Sequence, residues 1–108
     1  MNDCLFCKII NKGIAKDFHF ESDNLVVFED INPAAKLHFL IVPKKHIPSI
    51  MEEVEISLLD EIFKVAKDLA SKHNLPADQF RITVNGGKAQ HVPHLHFHLL
   101  GGEFKRQV

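Results

Sequence analysis

The sequence predicts an α+β fold with a mainly antiparallel five-stranded sheet, one long helix and a short N-terminal helix. Three observations carry this. From His94 to Leu99 histidine alternates strictly with Leu or Phe, which is the strand period, with successive side chains on opposite faces. Leu59, Ile62, Phe63, Ala66 and Leu69 recur at spacings of three and four, a one-sided stripe that marks a helix lying on a sheet. Three further runs rich in Val, Ile and Phe (Leu25–Asp30, Leu37–Val42, Phe80–Asn85) are bounded by turn residues and read as strands. At 108 residues, 45% apolar and 25% charged, the chain fits one domain over 1–108 with a core that needs no staples.

Taken in order, Asp3 is placed to cap a short helix from Cys4 to about Asn11, with Gly13 as its stop. Phe6, Ile9 and Ile10 give that helix an apolar stripe. Asp17–Glu21 alternates weakly and reads as an edge strand, with His19 exposed and without a role. Ser22-Asp23-Asn24 is a turn. Leu25–Asp30 and Leu37–Val42 form an antiparallel pair around the Asn32-Pro33 break, and Pro43 ends the second. Pro48 and Ser49 open a helical turn, the long helix follows over about Glu55–His73, and Pro76 prevents its continuation. Phe80–Asn85 is a strand, Gly86-Gly87 a tight loop, and Gly101-Gly102 ends the histidine-rich strand.

Charge and ends narrow the function classes. The net charge of −1 argues against nucleic acid or a membrane surface as the main partner. No apolar run reaches the roughly 18 residues a spanning helix needs. Met1-Asn2-Asp3-Cys4 lacks the basic and apolar regions of a signal peptide, so a cytoplasmic location is expected. Cys4 and Cys7 are the chain's two cysteines. In a reducing compartment a C-x-x-C pair suggests metal or redox chemistry more than a disulfide. It is half of a zinc site, and histidines are the obvious supply of the other half. The alternative is a pair of buried thiols.

Four of the eight histidines fall within His91–His98. On a strand, His94, His96 and His98 share one face at roughly 6.5–7 Å spacing, while Leu95, Phe97 and Leu99 seal a core on the other. A histidine row calls for chemistry that titrates near neutrality. Zinc ligation and nucleophilic or acid–base work on a phosphate both fit, and spacing alone does not separate them.

His94-Leu95-His96-Phe97-His98-Leu99-Leu100 resembles the motif that names the histidine triad family of nucleotide-binding proteins. Cys4-Leu5-Phe6-Cys7-Lys8-Ile9-Ile10, Phe28-Glu29-Asp30-Ile31-Asn32-Pro33 and His38-Phe39-Leu40-Ile41-Val42-Pro43-Lys44-Lys45-His46 resemble the corresponding segments of its Hint-like branch. The likeness runs in order from Cys4 to Gly102. It implies the family's compact sheet with a packed helix, and a homodimer. It implies that His96 attacks phosphorus and carries the nucleotidyl group, that His98 donates to a phosphate oxygen, and that His94 and His38 support them. Asp30 would take the ribose hydroxyls, with Ile31 against the sugar or base. Asn85 would touch the phosphate or leaving group. Phe6, Ile9 and Phe28 would wall the base. Some bacterial relatives hold a structural zinc, which maps here onto Cys4, Cys7, His46 and His94; catalysis itself needs no metal. Plainer readings exist for several positions: a satisfied buried His38, a strand-ending Asp30, an Asn85 that favours a turn, and aromatics that are only core.

The sequence departs from the family at two places. His91 stands three positions before the first triad histidine, where relatives commonly carry a small hydroxyl residue or an acid, and it is grouped with the nucleotide contacts. The Trp-containing tail of many relatives has no counterpart after Phe104. The activity implied is that of a purine nucleoside phosphoramidase acting on a purine nucleotide or nucleoside phosphoramidate. Dinucleoside polyphosphate hydrolysis and zinc-containing nucleotide binding with little turnover are the rival readings, and a zinc hydrolase built on the triad is the third.

Overall fold

The computed structural model describes residues 3–77 and 79–106. Its elements are α1 (Leu5–Ile10), β1 (Phe20–Glu21), β2 (Leu25–Glu29), β3 (Ala35–Pro43), α2 (Ile56–Lys72), β4 (Phe80–Val84) and β5 (Phe97–Phe104), with 3-10 turns at Leu75–Ala77 and Gly87–Ala89. The five strands form one antiparallel sheet in the order β1-β2-β3-β5-β4. The α+β class and its single main helix are therefore as the sequence implies.

Strand alternation divides the core between the two sheet faces. Leu25 and Val27 of β2, Phe39 and Ile41 of β3, and Phe97 and Leu99 of β5 pack against Ile62, Val65, Ala66 and Leu69 of α2. The alternate residues Val26, Phe28, Leu40 and Val42 meet Cys4, Phe6, Cys7 and Ile9 from the α1 segment. The helical stripe is rotated from the expected one. Phe63 is 44% exposed and meets Phe97 only edge-on at 5.8 Å, while Val65 and Ala70 are buried in its place. In β5, Phe97 and Leu99 point to α2, so His98 between them points to the α1 face.

Several boundaries differ from expectation. Cys4, not Asp3, caps α1: its Sγ accepts from the Cys7 N–H at 3.4 Å, and Asp3 is exposed. The left-handed residue after α1 is Lys12 (φ 66°), not Gly13. Gly13 N–H reaches the Lys8 carbonyl at 2.8 Å and Lys12 N–H that of Ile9 at 3.1 Å, which closes the helix end. The first strand shrinks to two residues. Pro48-Ser49 opens a turn closed by Glu52 N–H on the Ser49 carbonyl at 3.1 Å, without a helix.

The largest difference concerns β5. His94 and His96 precede the strand, and Gly101-Gly102 lie inside it instead of ending it. The pairing jumps from Leu37↔Gly101 to Ala35↔Phe104. One residue of β3 thus faces two of β5, a bulge that Gly102 supplies with φ 78°. A Cβ on Gly101 would collide with the Leu75 side chain, which packs over the strand there. Both glycines serve tertiary fit.

Candidate functional site

On the α1 face, β2, β3, the segment leading into β5, and α1 enclose a cavity of about 460 Å³. One end is apolar, with Leu5, Phe6, Ile9, Ile14 and Phe28. The other is polar, with Asp30, His91, His96, His98 and Arg106. Of the residues singled out in the sequence, Phe6, Ile9, Phe28, Asp30, Ile31, His91, His96 and His98 line it. Asn85 does not. It follows β4, an outer strand separated from β3 by β5. Ile31 stands at the lip, 87% exposed. Lys16 and Arg106 line the cavity without any local sequence pattern that marks them.

Backbone contacts fix which ring nitrogen of each histidine carries a proton. In His96, Nδ1 lies 2.7 Å from the carbonyl oxygen of His94. A carbonyl only accepts, so Nδ1 bears the proton and the lone pair is on Nε2. In His38, Nδ1 accepts from the Ala34 N–H at 2.9 Å, so the proton is on Nε2. That Nε2 lies 2.8 Å from His98 Nδ1 and donates to it. The His98 proton is therefore on Nε2, a buried atom with no hydrogen-bond partner among the described residues. His96 thus offers a lone pair and His98 a donor, with their rings 5.0 Å apart.

The neutral forms assumed in this chain are the stable ones. Burial pulls His98 down to about 4, helped by the neighbouring His96 and His38. Burial likewise lowers His38 and His96 despite the attraction of Asp30. Asp30 is held by its turn: Oδ1 accepts from Asn32 N–H at 2.9 Å, and Oδ2 sits 3.5 Å from His38 Nε2. Phe6 meets His96 edge-on at 4.9 Å and Phe28 at 5.5 Å. The floor of the cavity is therefore packed as well as hydrogen-bonded.

The family profile described as "Scavenger mRNA decapping enzyme C-term binding" matches residues 3–108. Protein HitA of Neisseria gonorrhoeae is 38% identical over 105 residues, covering 94% of this chain and 97% of that protein. The solved structure of a HIT family hydrolase from Legionella pneumophila is 41% identical with a TM-score of 0.88, covering 97% of this chain and 95% of the other. A HIT family hydrolase from Clostridium thermocellum is 39% identical with a TM-score of 0.87, covering 94% and 92%. The chain belongs to the histidine triad family.

In this histidine triad protein the first triad residue does not line the cavity. His94 Nε2 donates to the Pro43 carbonyl at 2.7 Å, so the lone pair is on Nδ1. That atom lies 3.3 Å from Cys4 Sγ, 3.6 Å from Cys7 Sγ and 3.2 Å from His46 Nδ1, and His46 Nδ1 is 3.3 Å from Cys7 Sγ. A tetrahedral zinc with bonds of about 2.3 Å to sulfur and 2.0–2.1 Å to nitrogen separates N from N by about 3.3 Å and S from N by about 3.6 Å. The four residues drawn from the sequence thus form a donor set of the right kind and size. The Pro43 carbonyl orients the His94 ring from behind, as a metal-bound imidazole requires. A second group, Asp30, His38 and His98, brings its atoms within 4.8 Å. Its two nitrogens at 2.8 Å are closer than the spacing of about 3.3 Å set by tetrahedral zinc, and they form a hydrogen bond.

Proposed function

We propose that this histidine triad protein hydrolyses nucleoside phosphoramidates, as a purine nucleoside phosphoramidase. The observation that carries the reading is the opposite polarity of two adjacent imidazoles, a lone pair on His96 Nε2 beside a proton on His98 Nε2, at the polar end of a cavity whose other end suits a base. The HIT hydrolases it resembles support the reaction class.

The His96 Nε2 lone pair attacks the α-phosphorus and the phosphorus–nitrogen bond breaks. The amine leaves with a proton taken from solvent at the cavity mouth, and the nucleotidyl group stays on Nε2. The new imidazolium keeps its Nδ1 proton on the His94 carbonyl, which shares the positive charge. His98 Nε2–H holds a non-bridging phosphate oxygen, where negative charge is concentrated. Water then attacks phosphorus and returns a proton to solvent, the Nε2–phosphorus bond breaks, His96 regains its lone pair, and a nucleoside monophosphate is released. Asp30 accepts the ribose hydroxyls, with Ile31 beside the sugar and Phe6, Ile9 and Phe28 around the base. His91 stands at the mouth, on the leaving-group side.

Cys4, Cys7, His46 and His94 hold a structural zinc, which ties α1 to the triad segment and supplies no step of the reaction. The protein is cytoplasmic, where such thiols stay reduced. It is a homodimer, formed through outer strand β4 and α2, on which Phe80 and Phe63 stand 47% and 44% exposed.

Turnover of adenosine 5′-phosphoramidate and of a dinucleoside polyphosphate, each with and without chelator, tests this. Monophosphate release from the first substrate alone, surviving brief chelation, is expected. Cleavage of the dinucleotide alone would replace the reading with polyphosphate hydrolysis. Binding without turnover of either would make the protein a nucleotide-binding regulator.

A further inference from the structure

The polar end of the cavity has a charge problem that the triad does not solve. His38 and His98 are neutral near pH 7, since burial lowers both. Among the lining residues the fixed charges are Lys16 and Arg106, positive, and Glu29 and Asp30, negative, and they cancel. A nucleotide brings negative charge into this space. Lys16 is at the base end, with its ammonium 5.5 Å from the Phe28 ring centre. Arg106, held on the Asn32 and Pro33 carbonyls, is the other cation of the lining.

Its position is set. Lys105 N–H donates to the Ala34 carbonyl at 2.8 Å. The Arg106 guanidinium donates from Nη2 to the Asn32 carbonyl at 3.0 Å and from Nη1 to that of Pro33 at 3.3 Å. These two bonds use part of a five-donor fork, and the side chain is exposed. Its charge reaches His38.

We infer that Arg106 is the anion-binding group of this cavity and sets its preference for nucleotides according to phosphate charge. The inference rests on the nucleotide reading of the site and adds a residue that the triad chemistry does not contain. An arginine held by carbonyls on one edge can present its remaining donors to phosphate oxygens, or to an anionic leaving group. Without it the fixed charge of the lining becomes net negative and repels such ligands.

The test is calorimetric binding of adenosine, adenosine monophosphate and adenosine diphosphate to the wild-type chain, R106Q and R106K, at low and high salt. R106Q should lose roughly tenfold for the monophosphate and more for the diphosphate, with adenosine unchanged within about twofold. R106K should recover most of the loss, and added salt should narrow the gap between wild type and R106Q. An equal loss for all three ligands would show that Arg106 only pins the tail, and no loss would also overturn the inference. A wild-type chain that binds none of the three would sink the nucleotide reading itself, an outcome distinct from either.

Discussion

Nε2 of His38 lies 2.8 Å from Nδ1 of His98, and this one contact decides what His98 offers to the cavity. Leu40 pairs with His98 across β3 and β5, and His38 is two residues along on the same face. The two imidazoles are thus diagonal neighbours. Since the Ala34 N–H occupies His38 Nδ1, the proton order can run only one way. Long-range proton–nitrogen NMR should show His98 and His38 protonated at Nε2 and His96 at Nδ1. His38→Phe should free His98 Nδ1 and cost on the order of 10²–10³ in kcat, the scale of losing one preorganised donor. An Nδ1-protonated His98 in the wild type would end the argument.

His96 separates chemistry from binding. Its ring meets Phe6 edge-on at 4.9 Å, while Phe28 is placed by β2 and Asp30 by its own turn. His96→Ala should abolish phosphoramidate turnover and leave monophosphate affinity within a few-fold of wild type. Quenched-flow trapping of the wild type should yield a phosphorus–nitrogen adduct on His96 alone. An adduct on another histidine would move the nucleophile.

How much of this was legible in the sequence follows from what each feature depends on. The alternation around Phe97 is a backbone property, so the two faces of β5 were readable without neighbours. The donor set Cys4, Cys7, His46 and His94 came from resemblance and residue type, and the fold then brought the four together. The roles of Gly101 and Gly102 depend on Leu75 and on the β3 register, which no local pattern contains. The capping by Cys4 was hidden because a residue read as a metal ligand also accepts the first-turn N–H. Arg106 carries no periodicity and no motif. Its place in the cavity comes from its hydrogen bonds to Asn32 and Pro33 and from that of Lys105 to Ala34, residues far away in the sequence.

Acid should unfold the protein through the same histidines. His98 sits at about 4 when folded against an ordinary 6.5. Between these values the unfolded chain binds more protons, so stability is complete above about pH 6.5 and falls as pH drops toward 4. The groups around it are His38, His96, His91 and Asp30. The attraction of Asp30 does not outweigh burial. The contribution is up to about 3 kcal/mol. Melting temperature should therefore be flat from pH 7 to 8 and fall steadily below 6.5. His98→Gln should show a shallower fall, and an identical slope would assign the acid sensitivity elsewhere.

Gly101 and Leu75 form a packing pair. A Cβ at Gly101 would overlap the Leu75 side chain, which is only 2% exposed and cannot swing into solvent. Gly101→Ala should destabilise by about 1–3 kcal/mol through overpacking. Leu75→Ala should cost about 2–5 kcal/mol through a cavity. Because each change relieves the other's fault, the double variant should be more stable than the sum of the two losses predicts. Additivity in urea unfolding would show that the contact is slack.

The proposed zinc site and the apolar end of the cavity share one short helix. Cys4 and Cys7 lie in and beside α1, whose Leu5, Phe6 and Ile9 wall the cavity. Burial raises the Cys4 thiol, so in the absence of a cation the thiolate is disfavoured there. A six-residue helix is too short to persist by its own propensity; packing holds it, and the proposed zinc would add a second tie. Cys4→Ser with Cys7→Ser should reduce zinc from one per chain to none by elemental analysis and lower the melting temperature. It should also weaken monophosphate binding several-fold, although neither sulfur lines the cavity. Unchanged zinc content would refute the ligand set. Lost zinc with undiminished nucleotide affinity would show that packing alone holds α1 in place.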